Sequence, residues 1–193
     1  MEMGHLTWLF IAALALLVLA VIVKEYNRIV SAYNGAQRGW AEVMNYERAK
    51  LKIISQLAEV AEKYRAFAGN LLENVVKLRT TVTGLDSSKV EPEKLQEIDQ
   101  ILKSIKQGVN AVVEKYPDVA DIGGVKIYMV SIVEAEENAA AARTIFNENV
   151  ERFNNTIQSF PTSLVNATIA HRKFLNAFTD REAEAQYDYK PNF

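Results

Sequence analysis

Cysteine is absent from this chain of 193 residues. That excludes disulfides, thiolate metal sites, iron–sulfur clusters, cysteine nucleophiles and a thioether lipid anchor. Basic residues are not in excess: 22 Lys and Arg stand against 24 Asp and Glu, a formal charge of −2. Without a basic surplus to displace counterions from phosphates, nucleic acid is not an expected partner. Only eight glycines and four prolines punctuate the chain, which suits long uninterrupted helices better than a turn-rich β protein. No segment alternates with period two for long enough to build a sheet.

The apolar run Leu6–Val23 contains one polar residue, Thr7. A stretch of this length reads as a membrane-spanning helix. No Lys or Arg precedes it, and no small-residue cleavage step follows it, so retention as an anchor is expected over removal as a signal peptide. Trp8, Lys24, Tyr26 and Arg28 fall where interfacial aromatics and cations belong. Cations gather only on the C-terminal side (Lys24, Arg28, Arg38, Arg48, Lys50, Lys52). The expected topology has the N-terminus outside and the large domain in the cytoplasm. Membrane lipid is therefore an expected partner. The organisation reads as a tail 1–5, a span 6–23, a helical-bundle domain 24–181 and a polar–aromatic tail 182–193 expected to be irregular or extended.

Beyond the span, apolar residues recur every three or four positions. The first stripe runs Tyr26, Ile29, Tyr33, Ala36, Trp40, Val43, and resumes at Ile54, Leu57, Ala61, Tyr64, Ala68, Leu71, Val75, Leu78 and Val82. This is one coiled-coil-like helical face. As a single helix it would reach about 85 Å at 1.5 Å per residue. Glu47 and Lys50 interrupt the stripe. Either they pair between subunits or the helix turns that part of its face to solvent, with a bend or break near Glu47–Lys52. The turn-rich Thr83–Ser88 ends the first helix, and Pro92-Glu93 opens the second, which carries Leu95, Ile98, Leu102, Ile105, Val109, Val112 and Tyr116. Pro117 through Gly124 forms a loop. A third stripe follows: Tyr128, Ile132, Ala135, Ala139, Ala142, Phe146, Val150, Phe153, Ile157 and Phe160. Pro161 breaks it, and Thr162 or Ser163 is expected to cap a fourth helix bearing Val165, Ile169, Phe174 and Phe178. The expected fold is all-α, with the membrane helix continuing into a long four-helix bundle.

An aromatic–asparagine pair returns after seven residues in two helices: Tyr26-Asn27 with Tyr33-Asn34, and Phe146-Asn147 with Phe153-Asn154. Such asparagines sit at a core boundary, or hydrogen-bond between helices and fix register.

The segment around the third helix resembles the LemA family. The residues that carry the likeness are Tyr116-Pro117-Asp118-Val119, Glu137-Asn138, Ala141-Ala142-Arg143, Phe146-Asn147, Val150, Phe153-Asn154, Ile157 and Phe160-Pro161-Thr162-Ser163. Upstream, Tyr26-Asn27, Gly39-Trp40-Ala41 and Val43 match the opening that follows the family's membrane helix. The matches span most of residues 8–193. The chain departs from the family at Arg48–Ala58, where Ser55 stands in place of a proline, so a straighter first helix is expected. The resemblance implies a bacterial, single-pass inner-membrane protein with a helical-bundle domain and no known catalytic activity.

No catalytic grouping offsets that implication. His5 and His171 lie far apart, and His171 reads as an ordinary bundle histidine. The chain has no HExxH, GxSxG or P-loop pattern. Glu134, Glu136 and Glu137 lack the Glu-x-x-His pairs of di-iron bundles. No enzyme activity and no cofactor are expected. The favoured function is a self-associating scaffold and homo-oligomer; the alternative is a tethered adaptor or sensor recruiting a protein partner. Candidate assembly residues are Asn27, Asn34, Trp40, Glu47, Lys50, Asn138, Arg143, Asn147 and Asn154.

Overall fold

The computed structural model describes residues 2–62, 70–87, 89–116, 118 and 124–178. Helix α1 spans Glu2–Glu62, α2 Asn70–Thr83, α3 Pro92–Lys115, α4 Val125–Gln158 and α5 Thr162–Val165. Helix α5 passes directly into a π-helical turn, Asn166–Ala170. Residues 171–178 then lack regular structure, and there is no strand among the described residues.

Local chemistry explains the boundaries. Pro92 opens α3 where its missing N–H costs nothing, with Glu93 in the first turn and Lys115 in the last, each complementing the helix dipole. Gly124, at φ 77°, sits immediately before α4 in a conformation that suits glycine. After α2 the chain turns at Gly84–Ser87 as expected, and Lys94 Nζ of α3 donates to the Gly84 carbonyl at 2.9 Å.

The chain divides into two compact units: Met1–Ala36 with Glu148–Leu175, and Gln37–Asn147 with Asn176–Phe193. In the first, Ile29 of α1 packs with Phe153, Ile157 and Val165, and Tyr33, Ala32, Ala170 and Leu175 close around them. Tyr33 meets Phe153 edge-on, ring centroids 5.5 Å apart. In the second, Trp40, Val43, Ile54 and Leu57 of α1 are fully buried, as are Val82, Leu95, Ile98, Ile105, Ile132 and Phe146. Each fully buried Leu, Ile or Phe contributes about 1.5–3 kcal/mol relative to exposure. Trp40 lies 5.7 Å from Phe146, centroid to centroid.

The apolar stripes are buried largely as their spacing requires, but several expectations about the elements need correction. The first stripe does not lie on one rod through Val82. Trp40 Nε1 donates to the Asp86 carbonyl at 2.9 Å, whereas a straight helix would separate those residues by about 69 Å. The chain therefore reverses between α1 and α2; Tyr64 and Ala68 lie outside the described residues. The fourth helix is one α-turn and a π-turn only, so Phe174 and Phe178 are not helical. Thr162 does not cap it: its hydroxyl donates instead to Glu25 Oε2 at 2.6 Å, and both side chains are buried. Phe160, at the end of the third stripe, is exposed. Helix α1 shows no break at Glu47–Lys52. The proposed loop after Tyr116 and the 182–193 tail fall mostly or wholly outside the described residues.

Within the span 6–23 the large apolar side chains other than Ile22 are exposed, by 40% at Val21 to 72% at Trp8. A soluble core helix of this composition would bury such residues. Lys24, Tyr26 and Arg28, just beyond it, are also exposed.

Candidate functional site

The second unit holds a cluster of four charges, of which Glu47, Lys50 and Arg143 are buried and Asp99 is part-exposed. Helix α1 contributes Glu47 and Lys50, which are 0% and 2% exposed. Helix α3 contributes Asp99 and α4 contributes Arg143. The Arg143 guanidinium holds Asp99 through two bonds, Nη1 to Oδ2 at 2.6 Å and Nη2 to Oδ1 at 2.9 Å. Its Nη2 also reaches Glu47 Oε1 at 2.6 Å. Lys50 Nζ lies 2.8 Å from the other Glu47 oxygen. Two cations thus face two anions, the balance that allows ions to be buried at all. Burial disfavours the charge on Arg143, but hydrogen bonding to Asp99 and the nearby Glu47 and Asp99 carboxylates more than offset it and hold its pKa above the ordinary arginine value.

This geometry revises the reading of Glu47 and Lys50. They neither face solvent nor await a neighbouring subunit; their partners are inside the chain. The spacing Glu47–Lys50 places both on the buried face of α1, and Arg143 on α4 closes the pair.

A second polar arrangement lies along α4. Asn147 Nδ2 donates to the Phe178 carbonyl and Asn147 Oδ1 accepts from the Phe178 N–H, each at 2.8 Å. Arg143, one helical turn earlier, stacks its guanidinium 4.5 Å from the centroid of the Phe178 ring. In the first unit, Asn154 makes the same paired contact with Leu175, at 2.9 and 3.0 Å. Asn166 repeats it with Arg172, at 3.1 and 2.9 Å. Arg172 in turn lies over the Tyr33 ring at 4.1 Å. The α4 asparagines therefore bind the main chain of the C-terminal segment, which we call the strap, where register-fixing contacts between helices were one expectation. Asn27, Asn34 and Asn138 are exposed.

The sequence reading missed Asp99, Asn166 and the strap itself. The signal for the strap is the spacing Arg172–Leu175–Phe178, which is hidden because the apolar residues Val165, Ile169, Phe174 and Phe178 fit a helix over the same stretch. His171 is not a bundle histidine: it is exposed and left-handed, φ 48°, at the point where the π-turn releases the strap.

Helix α4 also leaves apolar residues uncovered in the second unit. Ile127, Val130, Val133 and Ile145 are 44% to 71% exposed. They lie within one broad outward arc of the helix. Beside the buried cluster is an open depression of about 550 Å³ lined in part by Lys50, Asp99, Lys106, Glu136 and Arg143. Those three cations each already meet a carboxylate, Lys106 pairing with Glu136 at 2.7 Å. Among the described residues, no three His, Asp or Glu side chains gather as a metal site.

These features define an all-helical protein whose N-terminal helix is long and apolar enough to cross a membrane. The LemA family matches residues 39–192. The chain belongs to the LemA family. A search of curated proteins gave no match.

Proposed function

We propose that this protein is a non-enzymatic, membrane-anchored scaffold that self-associates at the bacterial inner membrane. It crosses once, with the N-terminus outside and a helical-bundle domain, four-helix in plan, in the cytoplasm. The observation that carries the reading is the uncovered span: twelve large apolar side chains between Leu6 and Val23 are exposed. At about 1.5 Å per residue this segment is close to the thickness of a hydrocarbon core. The cations that follow it set the orientation.

Self-association is supported by the uncovered arc of α4. Ile127, Val130, Val133 and Ile145 form an apolar surface that contact with a second copy would bury. Anchored copies are concentrated in a plane, so weak lateral contacts suffice.

Two measurements test this. The mass of the full-length protein in mild detergent is expected to correspond to a discrete homo-oligomer. A monomer that retains one other protein would instead identify an adaptor. Single cysteines at His5 and Lys52, introduced into this cysteine-free chain, report topology. A membrane-impermeant maleimide is expected to label His5→Cys and spare Lys52→Cys in intact spheroplasts; the reverse pattern overturns the orientation.

A further inference from the structure

The strap is held as a bound peptide is held. In the first unit, Asn166 and Asn154 each engage both main-chain groups of one strap residue, Arg172 and Leu175 respectively. Pairing of this kind reads an extended backbone. The three-residue step between the two grips matches the repeat of a polyproline-II-like chain, which turns the same backbone edge inward every third residue. Two side chains add recognition. Leu175 packs on the core formed by Ile29, Phe153, Ile157 and Val165, and Arg172 covers the Tyr33 ring. The residues between them, Lys173 and Phe174, point away and are exposed. The second unit contains an independent instance of the same grip, Asn147 on Phe178.

The route into the strap is strained. A π-turn is uncommon and marks special sites. It ends at His171 in the left-handed region, which costs a non-glycine residue on the order of 1 kcal/mol. Straightening this turn would release that cost and free the strap.

We infer that this groove is an exchangeable dock, and that in the assembled protein it takes the Arg172–Leu175 segment of a second copy of this chain. The inference rests on the self-association proposed above and supplies its link. A neighbouring copy offers the same backbone, the same leucine and the same arginine, so every contact is conserved on exchange. Such swapping is a low-cost route to oligomers. Membrane anchoring favours it further, because copies inserted in one orientation hold their straps at the same depth.

The test uses full-length chains carrying two different tags, co-expressed and purified in detergent through one tag. A strap-dead chain, Arg172→Pro with Leu175→Pro, loses the N–H donors that the asparagines accept. A grip-dead chain, Asn154→Ala with Asn166→Ala, loses the receiving groups. Each is expected to recover its own kind at least tenfold less than the wild type does. The mixed pair retains one intact strap and one intact groove, and is expected to co-purify. Absence of the mixed pair overturns the inference. So does undiminished recovery of both like pairs, an outcome that leaves self-association standing. Wild-type copies that fail to co-purify overturn both proposals. A chain that keeps both gripped main-chain groups guards against misfolded variants: a benzophenone-bearing phenylalanine in place of Arg172, the side chain that covers the Tyr33 ring, irradiated in membranes, is expected to give a dimer-sized adduct joined to the groove of the other copy. Adducts confined to single chains overturn the exchange.

Discussion

Asn154 satisfies Leu175 completely: its amide nitrogen donates to the Leu175 carbonyl at 2.9 Å, and its oxygen accepts the Leu175 N–H at 3.0 Å. No other uncharged side chain but glutamine combines donor and acceptor in this planar form. Asn154→Asp keeps the acceptor and replaces the donor with a second carboxylate oxygen facing the Leu175 carbonyl. We expect about 1–3 kcal/mol of lost stability, the range for an orphaned polar group. Hydrogen exchange at the Leu175 amide and protease cleavage within residues 171–178 are expected to accelerate, with helix content retained.

The charge cluster predicts opposite outcomes for partial and complete removal. Arg143→Met alone takes from buried Glu47 one of its two cations and leaves it with Lys50, while Asp99, part-exposed, turns to water, so a loss of about 3 kcal/mol is expected. Changing Glu47→Leu, Lys50→Met and Arg143→Met together removes the buried charges from α1 and α4. Thermal melting of the triple variant is expected to lie near or above that of the wild type. A triple variant as unstable as the single one would show that packing at Arg143, including its contact with Phe178, outweighs the ion pairs.

Thr162 and Glu25 form a buried hydrogen bond between residues 137 positions apart. Thr162→Val preserves shape and removes the donor. The Glu25 carboxylate then keeps Arg28, an exposed cation 3.6 Å away. A loss of about 1–3 kcal/mol is expected from this near-isosteric change, whereas Thr168→Val, at an exposed hydroxyl that bonds only within its own turn, is expected to change melting by less than about 0.5 kcal/mol.

At the start of α3, the hydrogen bond from Lys94 holds the Glu91 carboxyl below its ordinary value. A carboxylate with a depressed folded-state pKa stabilises the fold above its unfolded pKa and loses that contribution as pH falls through the folded value. The wild type is therefore expected to melt higher than Glu91→Gln at pH 7, by a margin that closes as the pH drops below about 4. The pair is solvent-accessible, so the margin at pH 7 is expected to be under about 1 kcal/mol.

Much of the helical layout was legible in the sequence because burial and helical period leave the same mark. Ile29, Trp40, Leu95, Leu102, Phe146 and Phe153 are core residues for the reason their spacing suggests. The reversal between α1 and α2 was hidden because steps of three and four continue through Tyr64 and Ala68. Periodicity records which face is apolar and carries no record of direction. Gly69-Asn70 was the available turn signal. The strap was hidden for a related reason, since a three-residue extended repeat and a helical stripe coincide over so short a segment. Glu47 and Lys50 were misread because a charge in an apolar stripe ordinarily marks exposure. Its burial depends on Arg143, 96 residues from Glu47, which sequence spacing does not connect.

Helix α1 continues from the uncovered span to the core residues of the first unit without a glycine or proline between Leu6 and Asn34. Its rotational phase is therefore fixed: each residue advances the face by about 100°. The direction in which the exposed apolar side chains point thereby sets the azimuth at which Ile29 and Tyr33 face Phe153. One residue inserted after Lys24 would turn one face against the other by about 100°, while seven would bring them back to within about 20°. The helix is a torsion rod, and a twist imposed on its apolar end is delivered to the Leu175 groove without slack.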